Sequence, residues 1–557
     1  MLARVQSFLL TGIDALPCEV EVDHDDTAAL ERAITVIVGL PDAAIKESIE
    51  RVRSALGNCG YAAPQGRTVV NLAPADVRKE GPAYDLAIAI GSLVCTGVIR
   101  DDTPRRTKPR ATRPVTRAVP LPASAPTGTN LDAAESLDHL LDAVRAPALE
   151  PLDLRHYLIA GELALDGRVR PIRGVIAMAA LAKAQGLRGV IVPSANAPEA
   201  AVVSGVEAIG VATLTELVGI LTGQLEPQIQ PPLDIAAMLG SANAEIDFAD
   251  VRGQEAVKRA IVVAAAGAHN LLMLGPAGTG KSMMAKALPG ILPPLSPDEA
   301  IEITRIYSAA GALPTGQGLV TSRPVRTPHH TASGAAIIGG GAIPKPGEVS
   351  LAHRGVLFLD ELPEFPRVVL ETLRQPLEDH VVTIARSHSA VRFPSNFMLV
   401  AAMNPTPKGD IPRDQVGRRA MDQYLAKLSG PLIDRIDIHV EAPAVPFKQL
   451  SSARDGGTST AQMRAQVLAA RARQNQRQGP LTPNSRLSGR KLDELAPMTD
   501  EARTMLGQAI TSLGLSARAY DKLRRVARTI ADLAAKDTIE FDHIAEAVQY
   551  RLLDRKL

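Results

Sequence analysis

Apolar residues along this chain follow two kinds of spacing, and changes between them mark its organisation. Residues 1–100 mix short apolar runs, such as EVEV and TVIVGL, with segments such as AAIKESIERVRSAL, whose apolar residues recur at helical spacing. Residues 157–223 return to that mixture, and residues 245–450 alternate strand-like runs with helical ones. Residues 460–557 have helical spacing throughout. The pattern predicts an α/β chain that ends in an all-helical region.

A proline-rich stretch, LEPQIQPPLD, divides the chain into two halves. We therefore predict an α+β domain at 1–225, a linker at 226–245, a parallel-sheet domain at 246–450 and a helical domain at 460–557. At about 150 residues per domain, 557 residues suffice for three or four domains.

The first domain is interrupted at residues 101–147. Between Thr103 and Leu131 there is no acidic residue, whereas six arginines or lysines lie among prolines. Such a segment has too little apolar surface to fold, so we predict a flexible basic insert. A solvated loop and a loose contact to nucleic acid both remain open for it.

Composition indicates the compartment of the protein but does not identify its binding partners. The net charge is +1, so only local charge patches could attract a partner. The three cysteines have no metal-ligand spacing, which suits reduced residues of a cytosolic protein. No apolar run approaches the ~20 residues of a membrane span, and the start lacks a signal-peptide layout. We expect a cytoplasmic protein without a membrane partner.

The strongest local motif is GPAGTGKS, which follows the apolar strand Leu271–Leu274. Glycines at these spacings let backbone N–H groups surround phosphates, while Lys281 reaches the β- and γ-phosphates and Ser282 binds Mg²⁺. The predicted ATP-binding residues are Gly275, Pro276, Ala277, Gly278, Thr279, Gly280, Lys281 and Ser282.

Two further apolar strands are followed by polar residues that suit a magnesium nucleotide. Asp360 and Glu361 follow Gly355–Leu359, and Asn404 follows Phe397–Met403. A carboxylate at the carboxyl end of a buried strand can hold the Mg²⁺ shell, and the next one can polarise the attacking water. We therefore expect Mg²⁺ at Ser282 and Asp360, with Glu361 as the water-polarising group and Asn404 orienting water or contacting the γ-phosphate.

The set GPAGTGKS, LFLDELPEF, AAMNP, SGPLIDRIDIHVE and SARAYDKLRRVARTIADL resembles AAA+ ATPases of the magnesium-chelatase-like group, and specifically the ComM/YifB family, over nearly the whole chain. The resemblance implies a doubly wound parallel sheet with a helical lid, and makes Asp360 and Glu361 Walker B and Asn404 sensor 1. It also makes Arg435 an arginine finger that acts on the neighbouring subunit, and Arg518 sensor 2, in a helix that Ser516 caps. Gln254 would lie at the adenine pocket. A finger that acts in trans requires a ring, which we expect to be a homo-hexamer.

Two stretches of the first domain resemble the Lon/S5-like protease fold, namely KEGPAYD and GELALDGRVRPIRG. Alignment with the protease pattern puts Ala83 at the nucleophile position and Ile176 at the catalytic lysine position. Neither side chain can attack a carbonyl or accept a proton, and Ser92 and Lys183 stand at the wrong offset. We therefore predict an inactive Lon-like domain.

The family resemblance fails at one place. ComM-like chains follow the sensor-1 asparagine with a cysteine-rich stretch whose spacing suits zinc, whereas this chain has Thr406 and Lys408 and no cysteine as far as Gly430. Those side chains cannot replace thiolates, so we expect no zinc site.

Two basic regions are candidates for DNA contacts. Two strand-like runs, VVTIAR and AVRF, predict a hairpin whose Arg386 and Arg392 could contact phosphates, or pair with Glu378 or Asp379 instead. The second region, between Asp455 and Asp493, could track phosphates or form a solvated basic face. Its members are Arg464, Arg471, Arg473, Arg477, Arg486, Arg490 and Lys491. The adjacent His329 and His330 have no third ligand at fitting spacing, which favours a structural or pore role.

These features favour an ATP-driven motor on branched or single-stranded DNA, a hexameric branch-migration helicase for recombination or natural transformation. Alternatives are a magnesium-chelatase-type motor ATPase and a MoxR-like protein-remodelling ATPase. Scarce aromatic residues argue against base stacking as the main mode of DNA binding.

Overall fold

The computed structural model describes residues 1–25, 34–100, 150–240, 246–341, 344–386, 389–406, 424, 426–445, 457–480 and 482–551. The chain divides into two compact units. The first consists of Met1–Leu10 and Ala15–Pro232, and the second of Thr11–Asp14 and Leu233–Leu557. The predicted insert at 101–147 lies outside the described residues.

Two four-stranded sheets form the framework of the first unit, in the orders β1-β2-β4-β3 and β10-β9-β8-β5. The strands are β1 (Leu2–Thr11), β2 (Asp14–Asp25), β3 (Ile34–Val38), β4 (Arg67–Ala73), β5 (Tyr157–Ile159), β6 (Glu162–Leu163), β7 (Val169–Arg170), β8 (Gly189–Pro193), β9 (Glu207–Val211) and β10 (Ile229–Gln230). The helices are α1 (Ala43–Asn58), α2 (Asp85–Cys95), α3 (Val175–Ala184), α4 (Ala197–Ala200) and α5 (Leu214–Leu221).

The positions at which the protease pattern places its chemistry are structural in this unit. The carbonyl of Ala83 accepts a hydrogen bond from the Gly161 amide at 2.8 Å. Ile176 is buried in α3. The Ser92 hydroxyl donates to the carbonyl of Ile88 within the buried helix α2. The resemblance of this unit to the Lon fold stays a prediction.

The second unit is built on a five-stranded sheet in the order β12-β15-β18-β11-β19, and every neighbouring pair in it is parallel. The strands of this unit are β11 (Leu271–Leu274), β12 (Val325–Arg326), β13 (Gly339–Gly340), β14 (Lys345–Pro346), β15 (Val356–Leu359), β16 (Val381–Arg386), β17 (Ser389–Pro394), β18 (Met398–Met403) and β19 (Ile438–Glu441). The three central strands are apolar along their whole length because both faces of a parallel sheet are covered.

Helices cover this sheet and make up the described part of the C-terminal region. They are α6 (Ile235–Met238), α7 (Glu255–Gly267), α8 (Lys281–Ala287), α9 (Pro297–Ala310), α10 (Gly334–Ile338), α11 (Glu348–Leu351), α12 (Arg367–Thr372), α13 (Arg374–Asp379), α14 (Gly430–Ile433), α15 (Thr460–Gln478), α16 (Gly489–Leu495), α17 (Asp500–Leu513), α18 (Ala517–Leu533) and α19 (Phe541–Gln549).

One hydrophobic core joins the C-terminal helices to the sheet. Leu271 of β11, Met463 of α15 and Ile530 of α18 belong to the same buried cluster. The predicted cap of α18 is confirmed, since Ser516 Oγ accepts from the Ala519 amide at 3.2 Å. The expectation of an α/β chain with a parallel sheet is also confirmed. Among the described helices, none combines the length and the apolar character that a membrane crossing needs.

Candidate active site

The predicted phosphate loop lies at the carboxyl end of β11, and its backbone accepts only glycine at key positions. A Cβ atom on Gly275 would lie 2.1 Å from the carbonyl oxygen of Ala442. Gly278 and Gly280 have φ values of +77° and +85°, which disfavour side chains other than glycine. Helix α8 begins directly afterwards at Lys281. The segment is therefore a turn that aims its backbone amides and a helix N-terminus at one point.

Lys281 occupies the space that the loop encloses. Its Nζ donates to the carbonyls of Gly275 and Pro276, at 2.8 and 2.7 Å. The side chain is buried, and burial lowers the pKa of its ammonium group, an effect that the charge of Asp360 opposes. An ammonium group held by carbonyl oxygens inside such a loop can exchange those partners for phosphate oxygens.

Ser282 and Asp360, the two predicted metal ligands, are in direct contact. The Ser282 hydroxyl donates to Asp360 Oδ2 at 2.6 Å, across the gap between α8 and the end of β15. Asp360 Oδ1 accepts from the Glu361 amide at 3.0 Å. A hydroxyl oxygen and a carboxylate side by side are ligands that suit Mg²⁺, so this donor set fits a magnesium nucleotide.

Glu361 has a partner that the sequence analysis did not identify. His330 Nδ1 lies 3.3 Å from Glu361 Oε2, and its ring packs edge-on to Phe365. Glu361 also has a left-handed backbone conformation, with φ +52°. Since non-glycine residues rarely adopt it, the backbone holds this carboxylate in an unusual position. The only signal in the sequence was the presence of a histidine pair, which we interpreted as structural or pore-lining.

Asn404 and Gln254 complete the group around the loop. Asn404 Oδ1 accepts from Lys281 Nζ at 3.2 Å, so the residue after β18 touches the loop lysine. Gln254 Nε2 donates to the carbonyl of Pro443 at 2.7 Å and to that of Thr279 at 3.4 Å. The predicted residues of the phosphate loop, Walker B, sensor 1 and the adenine-pocket segment thus lie together.

Arg435 lies at the other edge of the sheet. Strands β11 and β19 are parallel with Leu271 opposite Ile438, so the loop follows the carboxyl end of β11 while Arg435 precedes the amino end of β19. A strand of four residues separates the edges by roughly 10–13 Å at about 3.3 Å per residue. The Arg435 guanidinium donates to the carbonyl of Pro431 at 2.7 Å and pairs with Glu378. It therefore points away from the loop of its own chain.

Arg518 shares this second location with Arg435. Both line a cavity of about 400 Å³ at the amino edge of the sheet. Arg518 is exposed, with Nη1 3.9 Å from Asp434 Oδ2. The structure therefore brings the two predicted arginines together and keeps both apart from Lys281, Ser282 and Asp360.

The predicted hairpin is present as β16 and β17. The strands pair antiparallel, with Thr383 opposite Arg392 and Arg386 opposite Ser389. Arg392 is exposed and forms no ion pair within the described residues. The alternative, an ion pair with Glu378 or Asp379, is not formed by Arg392 within the described residues, where Glu378 pairs with Arg435; the side chain of Arg386 lies outside the described part of the chain.

The second basic region, for which a phosphate-tracking surface and a solvated face were both open, is exposed only in part. Arg477 forms two hydrogen bonds to the buried Asp532, at 2.7 and 2.9 Å. Arg471 donates to the carbonyl of Ala265, and Arg486 to Asn396. The prediction was wrong for these three residues because their side chains pack inward, while Arg473, Arg490 and Lys491 are exposed.

The segment from Asn404 to Gly430, in which we expect no zinc site, lies mostly outside the described residues, which omit 407–423. Among the residues described, no group of three His, Cys, Asp or Glu side chains could hold a metal ion.

Comparison with known proteins identifies relatives over the full length. A family model described as magnesium chelatase, subunit ChlI, matches residues 247–450, and its C-terminal counterpart matches 457–551. A third, subunit ChlI of Mg-chelatase, matches 20–106 and 126–196. The first two together cover the second unit from the phosphate loop to the last described helix.

Individual relatives agree with these matches. The protein YifB of Salmonella typhimurium is 39% identical over 100% of this chain and 98% of its own length. The competence protein ComM of Haemophilus influenzae is 39% identical over 94% of this chain and 92% of its own length. The magnesium-chelatase 38 kDa subunit of Cereibacter sphaeroides is 25% identical over 42% of this chain and 75% of its own length.

Proposed function

This chain belongs to the ComM/YifB family of magnesium-chelatase-like proteins, and from that premise we propose that it is an ATP-driven motor that acts on DNA as a hexameric ring. The activity that we propose is branch migration in recombination or natural transformation. The observation that carries the ATPase part is the contact between Ser282 and Asp360 beside the glycine loop.

The roles of the loop residues follow from their partners. Gly275 to Ser282 would bind the phosphates, with Lys281 exchanging its carbonyl partners for β- and γ-phosphate oxygens. Ser282 and Asp360 would hold Mg²⁺, which neutralises charge that develops on the phosphates. Glu361 would polarise the attacking water, and Asn404 would orient it. These assignments also suit the family, whose magnesium-chelatase members support the use of ATP and Mg²⁺.

The ring is supported by the location of Arg435 and Arg518. Neither of these two arginines reaches the phosphate loop of its own chain, because both lie at the opposite edge of the sheet. A head-to-tail neighbour would bring that edge to the phosphates and close a ring. Arg435 would then act as the finger and Arg518 as sensor 2.

DNA as the substrate is supported by the relative named for competence and by the exposed Arg392 on the hairpin. An arginine that contacts phosphate oxygens carries no base sequence, which suits a motor on arbitrary DNA. The hairpin lies between Walker B and sensor 1 in the chain, so a change at the γ-phosphate reaches it through little intervening structure. The first domain, which we predict to be an inactive Lon-like fold, would help to assemble or guide the ring.

A magnesium-chelatase-type motor is the second candidate, favoured by the family models that match this chain. The deciding experiment measures ATP hydrolysis without DNA, with single strands, with duplex and with four-way junctions, using Glu361→Gln as the inactive control. We expect stimulation by DNA, strongest with junctions, and junction migration in a gel assay. ATP hydrolysis that no DNA stimulates would refute the motor on DNA while leaving the ATPase assignment standing.

A further inference from the structure

A second cavity, of about 190 Å³, lies at the amino edge of the central sheet, against α15. Four of its lining residues are arginines and one is a glutamate, Glu299; the arginines are Arg323, Arg354, Arg471 and Arg486. This edge is opposite the phosphate loop of the same chain, so the loop does not account for the cluster, although Arg486 also lines the cavity that contains Arg435 and Arg518.

Two of the arginines are neutralised by the chain itself. Arg323 donates to Glu299 at 2.8 Å and to the carbonyls of Pro293 and Arg354, at 2.7 and 2.6 Å. Arg354 Nε donates to Glu302 at 2.9 Å. The carboxylates near this cavity are therefore already engaged.

The other two arginines have no carboxylate partner among the described residues. Arg471 donates from Nη2 to the carbonyl of Ala265 at 3.3 Å, whereas its Nε is buried without an acceptor. Arg486 donates from Nη2 to the Asn396 amide oxygen. Burial lowers the pKa of both groups to about 10, assisted by the charges of Arg323 and Arg354 respectively. Both side chains are half-buried, and a partly desolvated positive charge without a carboxylate partner destabilises the fold, so an anion here would stabilise the protein.

We propose that this cavity binds a phosphate-type oxyanion between the guanidinium groups of Arg471 and Arg486. The planar fork of a guanidinium matches phosphate geometry, and both arginines line the same cavity. At ~30 Å³ per water, 190 Å³ corresponds to about six waters. That volume is sufficient for a tetrahedral oxyanion together with a few waters. The oxyanion is either free inorganic phosphate or one backbone phosphate of a nucleic acid.

A bound oxyanion would connect two parts of the second unit. Arg471 belongs to α15 of the C-terminal region, while Arg354 directly precedes β15 of the sheet. The anion would offset repulsion between like charges on the two sides. It requires no neighbouring subunit and no ATP hydrolysis, so the inference stands or fails independently of the proposed motor activity.

The test is equilibrium dialysis of radiolabelled inorganic phosphate against the full chain carrying Lys281→Ala, which removes the lysine of the phosphate loop. Chloride at matched ionic strength serves as the reference. We expect one saturable phosphate per chain, and a Kd raised roughly tenfold or more by Arg471→Gln or by Arg486→Gln, because each removes charge-assisted hydrogen bonds. Arg473→Gln, an exposed position on the same helix, is the matched control and should leave Kd unchanged.

Competition with a single-stranded oligonucleotide then separates the two sources. If the oligonucleotide displaces the labelled phosphate from the Lys281→Ala chain, the site is assigned to nucleic acid. If it does not, the site is assigned to free phosphate. Circular dichroism shows whether each variant is folded. If a glutamine variant unfolds, Arg486→Lys is measured in its place, and a smaller increase in Kd is expected. The proposal is overturned if the Lys281→Ala chain binds no phosphate saturably. It is also overturned if neither arginine substitution changes the Kd.

Discussion

The side-chain amide of Asn270 donates to the carbonyl oxygen of Arg435 at 3.1 Å, at the amino end of the strand whose other end enters the phosphate loop. Asn270 Oδ1 also accepts from the Leu399 amide at 2.9 Å. One side chain thereby fixes the backbone of Arg435 against β11 and β18. Any movement of these strands on nucleotide binding is transmitted directly to the residue that would contact the neighbour.

Arg435→Ala should therefore abolish ATP hydrolysis while leaving ATP affinity nearly unchanged. A finger of this kind is worth roughly 10³–10⁵ in rate. Steady-state ATPase assays measure the rate of hydrolysis, and binding of a fluorescent nucleotide measures the affinity for ATP. The control is Arg503→Ala, at an exposed position of α17. Mixed rings of Arg435→Ala and Glu361→Gln chains should regain some activity. Absence of rescue in rings demonstrably mixed would count against action in trans.

Substitutions at the phosphate loop should separate binding from hydrolysis. Lys281→Ala should remove nucleotide binding, and Asp360→Ala should remove the Mg²⁺ dependence of that binding, because the variant lacks the carboxylate that lies beside the Ser282 hydroxyl. Glu361→Gln should bind ATP and hydrolyse it orders of magnitude more slowly, since positioning and charge neutralisation account for nearly all of this catalysis. Normal turnover by Glu361→Gln would exclude it as the water-polarising group.

His330→Ala should lower kcat without changing the Kd for ATP. Its Nδ1 lies 3.3 Å from Glu361 Oε2, so the substitution frees the carboxylate that we assign to the attacking water. Imprecise positioning of a reacting group costs roughly ten- to a hundredfold in rate. His156→Ala, at an exposed histidine of the first unit, is the control, because the His329 ring lies 4.1 Å from the His330 ring and supports its position. Equal effects of the two substitutions would show that the contact with Glu361 is not functional.

The double substitution Arg386→Ala and Arg392→Ala should leave basal ATPase and assembly intact and remove stimulation by DNA. The salt dependence of DNA binding should fall by about one unit of slope for each DNA phosphate that the variant no longer neutralises. The competing surface is the exposed part of the second basic region, so Arg473→Ala with Arg490→Ala is the comparison. If the hairpin variant migrates junctions at the normal rate, the DNA contact that drives movement is assigned to that surface instead.

The second unit should lose stability as pH falls below about 6.5. His269, His353 and His439 are buried, and burial lowers the pKa of each imidazole in the folded chain. The unfolded chain then binds more protons than the folded one below the ordinary histidine pKa, so stability rises with pH across that range. Urea unfolding midpoints at pH 5.0 and 7.5 measure the effect. His439→Phe should reduce the difference, whereas the exposed His156→Gln should not; an unaltered pH dependence in His439→Phe would contradict this cause.

The sequence alone predicted that the glycine-rich loop, Asp360 and Asn404 lie together, and it predicted the hairpin and the cap of α18. These features share a physical basis. Each depends on a short apolar strand or helix start and on the few residues beside it, and parallel strands always deliver their carboxyl ends to one edge of the sheet. Chain order therefore sufficed to bring Ser282, Asp360 and Asn404 together.

Only the tertiary structure decided which charged side chains are available. Arg471, Arg477 and Arg486 belong to the same basic region as the exposed Arg473 and Arg490, yet their side chains bond to α7, to α18 and to Asn396 before β18, respectively. The contact of His330 with Glu361 and the joint location of Arg435 and Arg518 likewise join residues distant in sequence. Spacing along a chain encodes local backbone structure, whereas the partner of a side chain is set by which elements pack face to face, and that is a property of the whole fold.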